Sequence, residues 1–394
     1  MKAHGWIFIL AMGLTLLGVT MVFSATGIYA DAEFQSSFFF LRKELLWLAI
    51  GLGFLWVGYT IELSWIRNAA PVLFALTLGG VLLTYTPLGV KIGGAQRWIR
   101  LGFVNFQPSE FLKLGLVCFM AARLAKRDGM LREFWGGYLK NLLWVGAAML
   151  PVLGQPDFGT AFMIALVGMI VLFVAGARVR DLGMTVLSSL PLAYYFIVNF
   201  PYRMRRVAAF LDPWKDPRGK GFQIVQSFLA IGRGKLTGVG LGESTQKLFY
   251  LPAAHTDFIF SILAEELGFV GSVTVITAFV LLAVTGYWIA LSARDPFGSL
   301  LAAGMTSMIS LQALFNIAVV TGTVPTKGIP LPFISFGGSS LALNLLAVGL
   351  IMNVAREDEK QKIPDPSGEP WETARRRSAR MLMNGSRLRS PAWI

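Results

Sequence analysis

Apolar residues run in long blocks along most of this chain, broken by short polar stretches, and that pattern predicts helices long enough to cross a lipid bilayer. Ten blocks stand out, near residues 6–30, 43–61, 68–86, 107–124, 140–153, 158–175, 182–200, 268–292, 298–320 and 339–355. A span of about 20 residues matches the ~30 Å hydrocarbon core. The fifth block is short, and Pro151, Gly154 and Pro156 are expected to turn it tightly into the sixth. The first block, from Trp6 to Tyr29, is too long for a signal-peptide core and ends without a clean cleavage site, so it is expected to stay as a span. The expected fold class is an all-α polytopic membrane protein. It would have about ten transmembrane helices in residues 1–356, a large loop at 201–267 between spans seven and eight, and a tail at 357–394.

Composition agrees with this picture. Of 394 residues, 55% are apolar and only 14% charged, against about 25% charged in soluble domains. The single cysteine, Cys118, lies inside an apolar block and has no internal partner for a disulfide. There is no C-x-x-C, no H-E-x-x-H, and only His4 and His255, so no zinc or haem site is expected. A net charge of +13 would suggest nucleic acid for a soluble protein. In a membrane protein the positive-inside rule accounts for much of it, and no nucleic-acid partner is expected.

Charge also orients the chain. An even number of spans puts both termini on one side. The tail carries Arg356, Lys360, Lys362, Arg375, Arg376, Arg377, Arg380, Arg387 and Arg389, which places it in the cytoplasm. Arg123, Lys126, Arg127, Arg132 and Lys140 after the fourth span agree, as do Arg178 and Arg180 after the sixth. The tail is Pro-, Ser- and Arg-rich and is expected to lack packed structure, its arginines touching anionic membrane lipid. This orientation sends 201–257 outside although it is basic, with Arg203, Arg205, Arg206, Lys215, Arg218, Lys220, Arg233, Lys235 and Lys247. Either loops near ~60 residues escape the rule, or the loop meets an anionic partner such as a lipid phosphate.

Four segments carry polar residues where lipid would penalise them. In 89–114, Gly93 and Gly94 mark a turn, Arg97 and Trp98 suit an interfacial anchor, and Pro108 opens a helix bearing Glu110 and Lys113 on one face. Those two charges form either a self-neutralising pair or part of a polar cavity. In Q-P-D-F-G-T, residues 155–160, Asp157 fits a helix N-cap. From Phe258 to Ile289 the chain is too long for one span. A break near Gly268 would leave 257–267 as a short surface or re-entrant helix, begun by Asp257 and ended by a surface-facing Glu265 and Glu266. His255 can tune Asp257 or lie exposed in the loop. The prolines and glycines of 321–340 forbid a continuous helix there, and Lys327 is its lone charge. The glycine-rich stretch Gly232–Gly242 lacks phosphate-loop spacing and follows no strand, so no nucleotide is expected on it.

Taken together, G-A-Q-R-W-I, Q-P-S-E-F-L-K-L, Q-P-D-F-G-T, H-T-D-F-I-F-x-x-x-A-E-E-x-G and P-T-K-G with I-S-F-G-G-S-S occur in the order seen in the SEDS family (shape, elongation, division and sporulation), which this chain resembles from about Gly89 to Val354. The stretches D-P-W-K-D-P and Q-K-L-F-Y-L-P-A-A-H-T-D are most similar to the family's cell-division branch. Ala253 and Phe249 depart from it, standing where many relatives carry acids.

The resemblance implies a peptidoglycan glycosyltransferase that polymerises lipid II at the outer face of the bacterial inner membrane, at the division septum, releasing undecaprenyl pyrophosphate. A lipid II flippase, or the elongation or sporulation form of the polymerase, are the alternatives. It further implies Asp257 as catalytic carboxylate, with Arg97, Trp98, Glu110, Lys113, Asp157, His255, Lys327 and Ser339 at the substrate. Arg97 and Lys113 would contact the pyrophosphate; Glu110 and Asp157 would orient Lys113 or hold a divalent cation, Mg or Mn, should one be used. Implied partners are a class B penicillin-binding protein transpeptidase and other membrane proteins of the division machinery.

Overall fold

The computed structural model describes residues 3–92, 95–101, 104–126, 129–248 and 250–362. Gly93, Gly94, Arg127, Phe249 and the tail from 363 onward, with its arginines, lie outside the described residues. Each of the ten apolar blocks forms the body of a helix. In chain order these are α1 (Ala3–Phe34), α2 (Phe39–Thr60), α3 (Leu63–Leu83), α4 (Pro108–Leu124), α5 (Leu139–Gly154), α6 (Phe158–Val174) and α7 (Val179–Val198). After two further helices, α8 (Pro201–Leu211) and α9 (Phe222–Gly234), come α10 (Ile259–Ser292), α11 (Pro296–Val320) and α12 (Gly338–Lys362). Five of them, α1, α3, α10, α11 and α12, are long and apolar enough to cross a bilayer. Pro151 is absorbed within α5, and the turn into α6 falls at Gln155 and Pro156.

Packing grades from a buried centre to a lipid-ready rim. Helix α12 runs along α2, where Gly51 and Gly58 meet Ala342, Leu345 and Leu346, and Gly349 lies against the backbone of Leu55. Lipid tails are as apolar as leucine, so small residues that let backbones approach are what hold such pairs together. Helices α4 and α11 complete the centre with α6, while α7 touches mainly α8 and the end of α6 and exposes Leu187, Leu190, Tyr194 and Tyr195. Helix α12 extends through Lys362, so the first six residues expected in the tail belong to a helix instead.

Three features depart from an all-α reading with open loops. Between α3 and α4 stands an antiparallel three-stranded sheet, β1 (Gly89–Ile92), β2 (Ala95–Leu101) and β3 (Val104–Phe106). The expected large loop is partly helical, in α8 and α9. Glu265 and Glu266 are 0% and 1% exposed, not surface-facing. Their carboxylates are met by the 244–247 loop and by α1. Glu265 accepts from Thr245 N–H at 3.2 Å and from the hydroxyls of Ser244 and Thr245. Glu266 accepts from Ser24 Oγ of α1 at 2.6 Å and pairs with Lys247 Nζ at 3.1 Å. Buried carboxylates persist only when so paired.

The break at Gly268 is real, with φ 68° and ψ −164°, a conformation open essentially to glycine. An unbroken helix would bond Phe269 N–H to Glu265 O and Val270 N–H to Glu266 O. Here Phe269 and Val270 donate instead to the carbonyls of Lys235 and Leu236, at 2.9 and 3.1 Å. The freed carbonyls of Glu265 and Glu266 accept from Val239 and Gly240, at 3.0 and 3.1 Å. The glycine-rich stretch is thus a backbone splint. A Cβ on Gly238 would fall 2.1 Å from Glu266 O, and one on Gly268 would fall 2.2 Å from Gly238 N.

Candidate active site

One end of the bundle gathers the β-sheet, the α5–α6 turn, the segment leading into α10 and the 321–337 loop. Arg97 lies on β2 opposite an irregularity in β1, where the register skips from Val90↔Trp98 to Lys91↔Gln96. A bulge of this kind re-aims a side chain. Arg97 reaches the α5–α6 turn, donating to Pro156 O at 2.8 Å and Gln155 O at 3.4 Å, and its Nη1 lies 3.6 Å from Asp157 Oδ2. Asp157 is the N-cap of α6, accepting from Thr160 N–H at 3.1 Å and Thr160 Oγ1 at 3.0 Å. The expected cap and the expected cavity position therefore coincide in one residue.

Asp257 is fixed by its backbone. Asn316 Nδ2 of α11 donates to Asp257 O at 2.8 Å and to Ile329 O at 2.7 Å. Ser335 Oγ donates to Thr256 O at 2.6 Å, and Phe336 N–H to His255 O at 2.9 Å. Two loops distant in sequence are so bound into one rim. At Gly328 a Cβ would come within 3.0 Å of Asp257 Oδ2, so the loop backbone lies directly against the carboxylate.

Charges surround this carboxylate. The Asp257 carboxyl is raised to about 6: burial raises it most, Arg206 opposes this, Asp157 adds to the rise, and Arg97 opposes it. Arg206, on α8, donates to Thr326 O at 2.8 Å. Lys327 Nζ sits 4.6 and 4.7 Å from the ring centroids of Phe158 and Phe162 on α6. Such a cation–π cradle desolvates an ammonium without neutralising it. Lys327 is lowered to about 8: burial lowers it most, Arg206 adds to this, and Asp157 opposes both. Among the described residues Lys327 has no carboxylate in ion-pair contact.

Glu110 and Lys113 form a second, closed group. They are 7% and 3% exposed and pair at 2.8 Å. Lys113 Nζ also donates to Gln312 Oε1 at 3.2 Å, and Gln312 Nε2 donates to Pro330 O at 3.1 Å and Ser340 Oγ at 3.3 Å. This chain of bonds runs from α4 through α11 to the Lys327 loop.

The remaining candidates sit around these two groups. Trp98 is half-buried on β2. Ser339 is buried in the first turn of α12, beside the Ser340 that serves Gln312. The His255 ring packs among Phe40, Phe336 and Tyr29, with centroids at 5.3, 6.0 and 6.1 Å, and burial lowers its pKa. Sequence reasoning placed Arg206 only among the loop's many cations and passed over Gln312 and Asn316. The signal for the last two was present: amides four residues apart, on one face of an apolar helix.

The model of the cell-cycle protein family that comprises FtsW, RodA and SpoVE matches residues 5–360. The chain belongs to this family. It is 42% identical over 350 residues to a probable peptidoglycan glycosyltransferase FtsW of Geobacter sulfurreducens, covering 89% of this chain and 94% of that one. To stage V sporulation protein E of Bacillus subtilis it is 41% identical over 352 residues, covering 88% and 95%. Among solved structures it is similar to a chain of a peptidoglycan synthase complex that coordinates polymerization and crosslinking, with TM-score 0.73 and 27% identity over 89% of this chain and 97% of that one. A Thermus thermophilus rod shape determining protein RodA, solved as an aspartate-to-alanine mutant, matches with TM-score 0.67 and 26% identity over the same shares.

Proposed function

We propose that this chain is a peptidoglycan glycosyltransferase that polymerises lipid II at the outer face of the bacterial cytoplasmic membrane, with both termini in the cytoplasm. The observation that carries the reading is a desolvated carboxylate, Asp257, with the cations Arg206 and Arg97 acting on it and the backbone of the Lys327 loop lying against it. Strand growth joins a sugar hydroxyl to the anomeric carbon of a lipid-pyrophosphate donor. The hydroxyl must give up its proton as it attacks, and the leaving pyrophosphate develops charge. Asp257 takes the proton; a carboxylate raised to about 6 is a stronger base than a solvated one and is still ionised at neutral pH. Arg206 and Lys327 face the leaving group and stabilise its charge, as prepositioned cations do in a water-poor site. A single base on one side of the reacting carbon and a charged leaving group on the other favours inversion.

Lys113, expected at the pyrophosphate, is held by Glu110 and Gln312, which favours a structural part for it; Arg97 remains beside Asp157 at the rim. Glu110 and Asp157 each already face a side-chain cation, and among the described residues no group of three or more acidic, His or Cys side chains is set to hold a metal. A penicillin-binding protein is the expected partner, supported by the synthase complex among the structural neighbours. The FtsW name shared by several relatives supports a division role at the septum over elongation, and the relative named stage V sporulation protein E, at 41% identity, keeps the sporulation role as the alternative. A fluorescent fusion that marked the lateral wall and not the septum would overturn that assignment.

The test is purified protein with its transpeptidase partner and labelled lipid II. Glycan strands from wild type and none from Asp257→Ala support the polymerase. Lipid II crossing vesicle membranes without any strands forming would support a flippase instead.

A further inference from the structure

We infer that α8 is an interfacial helix that lies on anionic phospholipid of the outer leaflet with one face while its other face holds Arg206 at the catalytic loop. The outward orientation and the role of Arg206 rest on the polymerase reading; the lipid contact needs only a bilayer beside α8. It gives a use to the positive charge of a segment that runs against the positive-inside rule.

Helix α8 has two faces. Met204, Ala208 and Leu211 follow one another at steps of four and three residues, so they line one stripe. All three are exposed, Leu211 by 75%. On the opposite side Ala209 is buried and Arg206 donates to Thr326 O at 2.8 Å. An amphipathic helix normally turns its apolar stripe to its own protein. Here the stripe faces away from it.

Height and charge identify what covers the stripe. Only Asn199 and Phe200 separate α8 from α7, and the end of α7 that leads into it exposes Tyr194 and Tyr195. Trp214, just past the other end of α8, is exposed as well. Tyr and Trp gather where hydrocarbon meets water, so both ends of α8 lie at that boundary. With 11 residues the helix is too short to cross, a span needing about 20. Residues 201–220 carry six cations and two acids. The acids are turned back to the chain, Asp212 accepting from Lys215 N–H at 3.2 Å and Asp216 from Lys220 N–H at 3.0 Å. Arg205, Lys215, Arg218 and Lys220 are exposed. An apolar stripe, an interfacial tryptophan and flanking cations make a helix that lies on an anionic bilayer. Because the same helix carries Arg206, lipid beneath it steadies a cation of the site, and membrane composition becomes a control on strand growth.

A nitroxide on Ala208→Cys of the full chain in vesicles tests the contact. Ala208 is exposed, and Cys118 is buried and stays unlabelled. Electron paramagnetic resonance reads whether the label meets oxygen, which enters lipid, or a nickel chelate, which stays in water. In phosphatidylcholine vesicles the label should meet oxygen and be shielded from the chelate. Phosphatidylglycerol should raise its immersion. Arg205→Gln, Lys215→Gln and Arg218→Gln together should remove the gain, at about fivefold in the immersed-to-exposed ratio per cation. A label open to the chelate in both vesicles overturns the lipid contact. One shielded only after the transpeptidase is added overturns it in favour of a protein contact. Equal immersion in the two lipids, unmoved by the triple change, overturns the anionic preference. Leu211→Asp should lower kcat for strand formation several-fold with KM and melting temperature unchanged, and an unchanged kcat overturns the link to Arg206. If wild type makes no strands, the polymerase reading fails, and the label still decides the contact.

Discussion

The Glu110–Lys113 group and the Asp257–Lys327 group hold similar charges about the same end of the bundle, yet they are built in opposite ways. In the first, acid and base pair at 2.8 Å, both buried, with Gln312 taking a further bond of the ammonium. In the second, Asp257 is held by its backbone carbonyl and Lys327 by two phenylalanine rings, so neither charge is used up by the other. A closed pair fixes structure and resists change. Charges held apart in this way stay available, which is what the proposed chemistry requires.

Substitutions can break this contrast. The largest effect is expected from Asp257→Asn, which should slow strand formation by about 10²–10⁴-fold, the usual scale of losing a positioned base. Its melting temperature should stay near wild type, because the asparagine keeps the shape and removes a charge that burial disfavours. Lys113→Met should do the reverse at first order. Leaving Glu110 buried without its partner costs about 3–5 kcal/mol, to be read as a lower melting temperature or weaker denaturant resistance, with activity falling alongside it. If Lys113→Met kept full stability and lost only activity, the two groups would not differ as described. Gly268→Ala should cost about 1–3 kcal/mol from the disfavoured backbone alone, plus the collision with Gly238. Proteolysis near 235–245 would report a loosened splint.

Much of this was legible before the structure. Ten apolar blocks became helices because bilayer-length apolar runs have few other solutions, and the break at Gly268 followed from a run too long for one span. The sheet had a signal in the sequence: alternating residues on both sides of Gly93-Gly94, a hairpin pattern. The buried state of Glu265 and Glu266 was not legible. It depends on Ser24, Ser244, Thr245 and Lys247 arriving from elsewhere in the chain, and no local pattern encodes that convergence. Arg206 was hidden for a related reason, being one cation among nine in its loop until α8 set it beside Thr326.

The most direct test of Asp257 as the base is the pH dependence of strand formation under saturating lipid II. Its carboxyl is raised to about 6, so protons remove the base as pH falls through that value. Lys327 is lowered to about 8, so its charge is lost as pH rises through that value. The rate should be level between about 6 and 8 and fall on both sides, about tenfold per unit below the acid limb. In Lys327→Met the alkaline limb should vanish and the acid limb remain. A wild-type rate that holds level down to pH 4 would contradict a desolvated Asp257 as the base.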